Sequence, residues 1–175
     1  MTKQLQKISE YLIYICGFLL FGSVFLISVE VVLRKFFLIS FGGTDEISGY
    51  ILGICTSWSL AYVLFKKMHI RIDILYTKVS SNIQHLLDII AMIFTLMFIS
   101  LLTYSASSVF YTSILKKSTA NTPLGTPLWI PQSIWFFGFV FFLLVVLVML
   151  YHAIKSFITN KNNDYSNINK DEVCI

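Results

Sequence analysis

From Ile134 to Tyr151 the chain reads "IWFFGFVFFLLVVLVMLY", with no side chain more polar than its tryptophan and tyrosine. As a helix rising ~1.5 Å per residue, such a run spans nearly all of a hydrocarbon core ~30 Å thick. Three more apolar runs precede it, at Tyr11–Leu33, Ile47–Phe65 and Leu86–Leu115. Inside lipid every backbone amide must find its partner within the chain, and helices do that segment by segment. The sequence therefore predicts an all-α integral membrane protein with four transmembrane helices. Composition agrees: 57% of residues are hydrophobic and 13% charged, where soluble domains carry about 25% charged residues. The first run is followed by Arg34 and Lys35 rather than a small-residue cleavage site, so it reads as a span and not as a signal peptide.

Charge sets the orientation. With four crossings, the N-terminus, the second connector and the tail share one side, which holds Lys3, Lys7, Lys66, Lys67, Arg71, Lys78, Lys155, Lys161 and Lys170. The other side holds only Arg34, Lys35, Lys116 and Lys117. By the positive-inside rule both termini are expected in the cytoplasm. Residues 1–155 read as one four-helix membrane domain with spans at about 11–33, 47–65, 86–115 and 134–151. Residues 156–175 are polar and Asn-rich and read as a disordered cytoplasmic tail.

The second connector opens with "KKMHIRID", residues 66–73, four charges in eight residues. Beyond it Ile72, Leu75, Val79 and Ile83 recur at helical steps, with Arg71, Lys78, Ser81 and Asn82 on the other side. That pattern predicts a short amphipathic interfacial helix between the second and third transmembrane helices. On the opposite side, "STANTPLGTPLWIPQSIW" gathers all three prolines and two of the three tryptophans. It reads as a rigid elbow, with Trp129 and Trp135 suited to the headgroup belt.

Polar residues within the spans are few. Glu30 lies in the first run, where a carboxylate costs up to about 3 kcal/mol at mid-bilayer. A proton or substrate site is one reading; a pair with Arg34, one turn later and near the interface, is the favoured one. Thr44, Asp45 and Glu46 open the second span, where carboxylates suit the helix dipole and Thr44 or Asp45 can cap free amides. Placed there, Asp45 and Glu46 are expected near Arg34 and Lys35. Along the second span Gly49, Gly53, Ser57 and Ala61 recur every four residues, a small-residue stripe that lets another helix approach, from this chain or from a partner.

Chemistry of other kinds finds no support. His69 and Asp73 share a helical face but lack the further ligands a metal needs. The three histidines map to span ends, which disfavours haem, so no metal or cofactor is expected. No phosphate loop, nucleophile elbow or H-E-x-x-H occurs, and the chain does not read as an enzyme. No basic block suggests nucleic acid. Cys16 and Cys55 read as small packing residues within apolar runs, and Cys174 does not fit a prenylation signal.

Four pieces in order, "LRKFF", "TDEISGY", "HIRIDILY" and "TPLGTPLWIPQSIW", resemble the small membrane subunit (Q subunit, DctQ-like) of tripartite ATP-independent periplasmic (TRAP) transporters. The resemblance covers roughly Leu12 to Tyr151. It implies a bacterial inner-membrane protein that works with a large membrane subunit and a periplasmic solute-binding protein. The role implied is a scaffold in sodium-coupled import of an organic acid or related solute. It makes Arg34, Asp45, Glu46, His69 and Asp73 candidate interface- or fold-fixing residues, beside the stripe Gly49, Gly53, Ser57 and Ala61. The chain departs from the family at "GGT", where many members carry a Trp before the acidic pair, and at "FKKM" before the histidine. The competing reading is a self-sufficient proton-coupled transporter built around Glu30.

Overall fold

The computed structural model describes residues 2–40, 42–66 and 81–171. Four helices account for almost all of them: α1 (Thr2–Phe37), α2 (Thr44–Phe65), α3 (Ser81–Leu115) and α4 (Trp129–Asp171). Each predicted span lies within one of these helices, and all four are long and apolar enough to cross a membrane. The chain is an all-α, four-span membrane protein. The expected interfacial helix falls largely on residues 67–80, outside the described residues; its last apolar position, Ile83, belongs to the first turn of α3. The helical backbone of α4 continues past its apolar stretch, which ends at Lys155, as far as Asp171.

The helices stand side by side in the order α1, α2, α4, α3, with α1 touching α4 only marginally. Thus α2 and α4 are the inner pair. α1 and α3 are outer helices, each with one neighbour and most of its circumference free. Phe18 and Phe21 of α1 and Tyr104 of α3 are each more than 70% exposed. Hydrocarbon is the solvent for such a surface, so apolar exposure here carries none of the penalty it would in water.

Burial follows a seven-residue repeat. On α1 the buried residues are Ser9, Cys16, Ser23 and Glu30. On α3 they are Ile99, Ala106 and Ser113. The inner α4 buries two such rows, Pro131, Gly138 and Val145 beside Phe139 and Val146, with Phe142 between. A period of seven keeps one row of a helix against its neighbour when the pair coils left-handedly. The core that results joins Ala61 and Leu64 of α2, Ile99 and Ala106 of α3, and Phe139, Phe142, Val145 and Val146 of α4. Trp58 seals the inner pair: its indole Nε1 donates to the Ile134 carbonyl at 3.0 Å and its ring stacks on Phe141.

The ends are shaped locally. α3 stops in a Schellman arrangement: Ser118 N donates to Ser113 O at 3.1 Å, Lys117 N to Ile114 O at 3.3 Å, and Lys117 takes the left-handed conformation. The connector then folds back on itself through an antiparallel bridge between Thr119 and Pro127. Ala120 N donates to Thr126 O at 2.9 Å, and a turn closed by Gly125 N to Thr122 O at 3.0 Å carries Pro123 at its second position. Pro131 sits in the first turn of α4, where a missing N–H costs nothing.

Candidate functional site

Function in a chain of this composition has to be sought where polarity is spent. Among the described residues, four places concentrate polarity or close approach between elements: the seam between α1 and α2, the loop end of the layer (residues 38–40, 42–43 and 116–128), the small-residue face of α2, and the end where α2 finishes.

The seam is tied at three heights. At one end Glu30, 3% exposed, is enclosed by three donors. Arg34 Nη2 donates to Oε1 at 3.0 Å, Ser40 Oγ to the same oxygen at 2.6 Å, and Thr44 Oγ1 to Oε2 at 3.0 Å. Midway, the Cys55 thiol donates to the Cys16 carbonyl at 3.4 Å. At the other end Lys66 pairs with Glu10 at 3.4 Å. Because Glu30 meets the start of α2 while Glu10 meets its end, the two helices run antiparallel. The favoured pairing of Glu30 with Arg34 is present, but the Arg34 end of it is exposed, with its side chain 60% accessible. The hydroxyls of Ser40 and Thr44 are the partners that sequence reasoning missed. One signal was available: Ser9, Cys16, Ser23 and Glu30 are spaced by sevens in an otherwise apolar run.

The expected capping role of Thr44 and Asp45 is corrected. Gly43 is the N-cap of α2, without a side-chain cap bond, and Thr44 lies inside the helix with its hydroxyl turned to Glu30. The Thr44 hydroxyl thus donates a charge-assisted bond to a buried carboxylate instead of accepting from a free amide of the first turn. Gly42, at φ +69°, takes a left-handed backbone conformation that favours glycine and turns the chain into α2. Asp45 is exposed.

Glu46 was expected beside Arg34 and Lys35, and the structure places it elsewhere. It accepts from Tyr50 at 2.7 Å and from Thr122 of the connector, and Thr126 lies beside the same carboxylate. Neither ion pair among the described residues involves Asp45 or Glu46. The first turn of α2 is thereby fastened to the connector before α4. Leu124 closes the same junction by packing onto Gly43: a Cβ built at that glycine would lie 1.9 Å from Leu124 Cδ1. The two loops at this end form one packed surface.

The small-residue stripe divides in two. Ser57 and Ala61 are fully buried in the α2–α4 contact, opposite Gly138, whose missing side chain lets the backbones close in. Gly49 and Gly53 meet nothing: a Cβ added to either finds open space. They line a groove of about 270 Å³ whose other walls include Tyr50, Gln132 and Trp135. The Oε1 atom of Gln132 is buried without a hydrogen-bond partner. His69 and Asp73 lie outside the described residues. Among the described residues no group of three or more His, Cys, Asp or Glu could hold a metal ion.

The seam and the loop end are built from "LRKFF", "TDEISGY" and "TPLGTPLWIPQSIW", three of the four segments that carried the resemblance; the fourth, "HIRIDILY", lies outside the described residues. The sequence matches the family model described as tripartite ATP-independent periplasmic transporters, DctQ component, over residues 23–156. The chain belongs to the DctQ family. It is a small membrane component of a TRAP transporter, and the family is one of transporter components rather than enzymes. No curated protein and no solved structure matches it. In this DctQ protein Arg34 bonds Glu30 and Ser40, and Glu46 bonds the proline-rich elbow at Thr122.

Proposed function

We propose that this DctQ chain is a static scaffold of a sodium-coupled TRAP transporter. It braces a large membrane subunit that carries the solute, an organic acid or a related compound, delivered by a periplasmic solute-binding protein. It does so in the bacterial inner membrane with both termini in the cytoplasm. The observation that carries the reading is where the polar side chains are committed. Glu30 is the only carboxylate within the first apolar run, and its oxygens are taken up by Arg34, Ser40 and Thr44. Transporters that move cargo themselves gather polar groups and broken helices around a midplane site; α1 to α4 each run through the apolar stretch as one helix. Reconstituted alone in liposomes, the chain is expected to accumulate no solute under a sodium or proton gradient. With the large subunit and binding protein it supports uptake, and Glu30→Gln retains that uptake wherever the complex still assembles. Solute movement by the chain alone, abolished by Glu30→Gln, would establish the self-sufficient transporter instead.

The open half of the α2 stripe supports a docking role for the partner. A groove floored by Gly49 and Gly53 admits a helix backbone closely, and such contacts drive association in lipid. Gly49→Val with Gly53→Val should leave the isolated chain as stable as before, since neither Cβ meets a neighbour. Co-purification of the large subunit with the tagged chain should be lost. Unchanged recovery of the complex would place the partner on another face. His69 and Asp73 remain candidates for the same interface on its cytoplasmic side.

A further inference from the structure

The only two cysteines within the apolar runs face each other. Cys16 of α1 and Cys55 of α2 are 39 positions apart in the chain, yet the Cys55 thiol donates to the Cys16 carbonyl at 3.4 Å across the seam. Both are free and almost wholly buried in the seam. Disulfide geometry asks for Cβ atoms about 4 Å apart on facing positions, and a thiol that already bonds the backbone of the facing cysteine sits at such a position. An open groove of about 250 Å³ between the apolar stretches of α1 and α2 is lined by both cysteines together with Ile13, Gly17, Leu20 and Leu52.

We propose that Cys16 and Cys55 form an intramembrane dithiol that a lipid-soluble two-electron acceptor of the quinone class closes to a disulfide, latching α1 to α2. The two S–H bonds break and one S–S bond forms. The two electrons and two protons released reduce the quinone to its quinol. An acceptor of this class suits the site because its approach is through hydrocarbon, where charged oxidants do not partition. The same barrier keeps water-soluble thiol reductants away from the closed bond. The latch matters for α1 in particular, because α2 is its principal neighbour. The other ties along the seam are non-covalent and lie at its ends.

The test uses the full chain in liposomes with Cys174→Ser, which leaves two thiols to follow. Tetramethylbenzoquinone is the probe, since its fully substituted ring cannot add a thiol; ferricyanide serves as the charged comparison. After treatment the protein is denatured and labelled with a maleimide. With the quinone, both labels should be lost, the intact mass should fall by about 2 Da as two hydrogens leave, and digestion should yield a peptide linking Cys16 to Cys55. Ferricyanide should leave both thiols open to label. Retention of both labels after quinone treatment overturns the proposal. So does loss of label without the linked peptide, and so does equally rapid linking by ferricyanide, which would mean aqueous access.

Discussion

Gly138→Val should part the inner helix pair and be strongly destabilising. A Cβ at this position meets Ser57 Oγ at 2.4 Å, Ser57 Cβ at 2.9 Å and Trp58 Cδ1 at 3.0 Å. The hydroxyl can rotate away; the Ser57 Cβ cannot, because it is fixed to the α2 backbone. Relief therefore requires the helices to separate, which disturbs the Trp58–Ile134 bond and the Trp58–Phe141 stack together. Overpacking of this kind costs about 1–3 kcal/mol. Alanine is the informative intermediate. Replacing glycine within a helix gains about 1 kcal/mol of propensity, so Gly138→Ala should show a smaller net loss than valine. Gly22→Ala on α1 is the control: no atom lies within 4 Å of its added Cβ, and it should be neutral or stabilising. The measurement is loss of helicity on titrating SDS into detergent-solubilised protein. If Gly138→Val and Gly22→Ala unfold alike, the close approach of α2 and α4 does not hold the layer together.

The contrast between those two glycines shows what was readable in the chain and what was not. Hydrocarbon-length apolar runs admit only one backbone solution, so the four spans and their approximate limits followed from length and polarity. The α2 stripe was readable as a contact face, and Ser57 and Ala61 are indeed in contact. Gly49 and Gly53 are left open, because Tyr50, Gln132 and Trp135 wall a groove there rather than fill it. Gly138 escaped notice since a lone glycine in an apolar run shows no spacing of its own; its partner is 81 positions earlier (138 − 57). Glu46 was misplaced for a similar reason. Local charge suggested Arg34 and Lys35, but the short hydroxyls of Thr122 and Thr126 are held against it by the fold of the connector. The row Ser9, Cys16, Ser23 and Glu30 was present in the sequence throughout. It was inconspicuous because serine and cysteine are small enough to be tolerated on any face of a membrane helix.

Thr44→Val should cost more than Arg34→Ala, although only the second removes a charge. Both changes delete one hydrogen bond to the Glu30 carboxylate, and the lengths are the same, 3.0 Å. The difference lies in the surroundings. Thr44 is 4% exposed and donates to Oε2 in a buried bond; valine fills the same space but removes that donor. Losing a hydrogen bond to a charged group costs about 1.5–3 kcal/mol. The Arg34 side chain is 60% accessible, and exposed pairs are worth up to about 1 kcal/mol. Ser40 still serves the oxygen that Arg34 would vacate. Salt separates the two contributions: raising ionic strength should erode what Arg34 supplies and leave the Thr44 contribution nearly unchanged. The same SDS titration, run at low and high salt, reads both. A larger loss for Arg34→Ala, shrinking as salt is added, would mean that the ion pair within α1, and not the buried hydroxyl across the seam, supplies most of the stability of the knot.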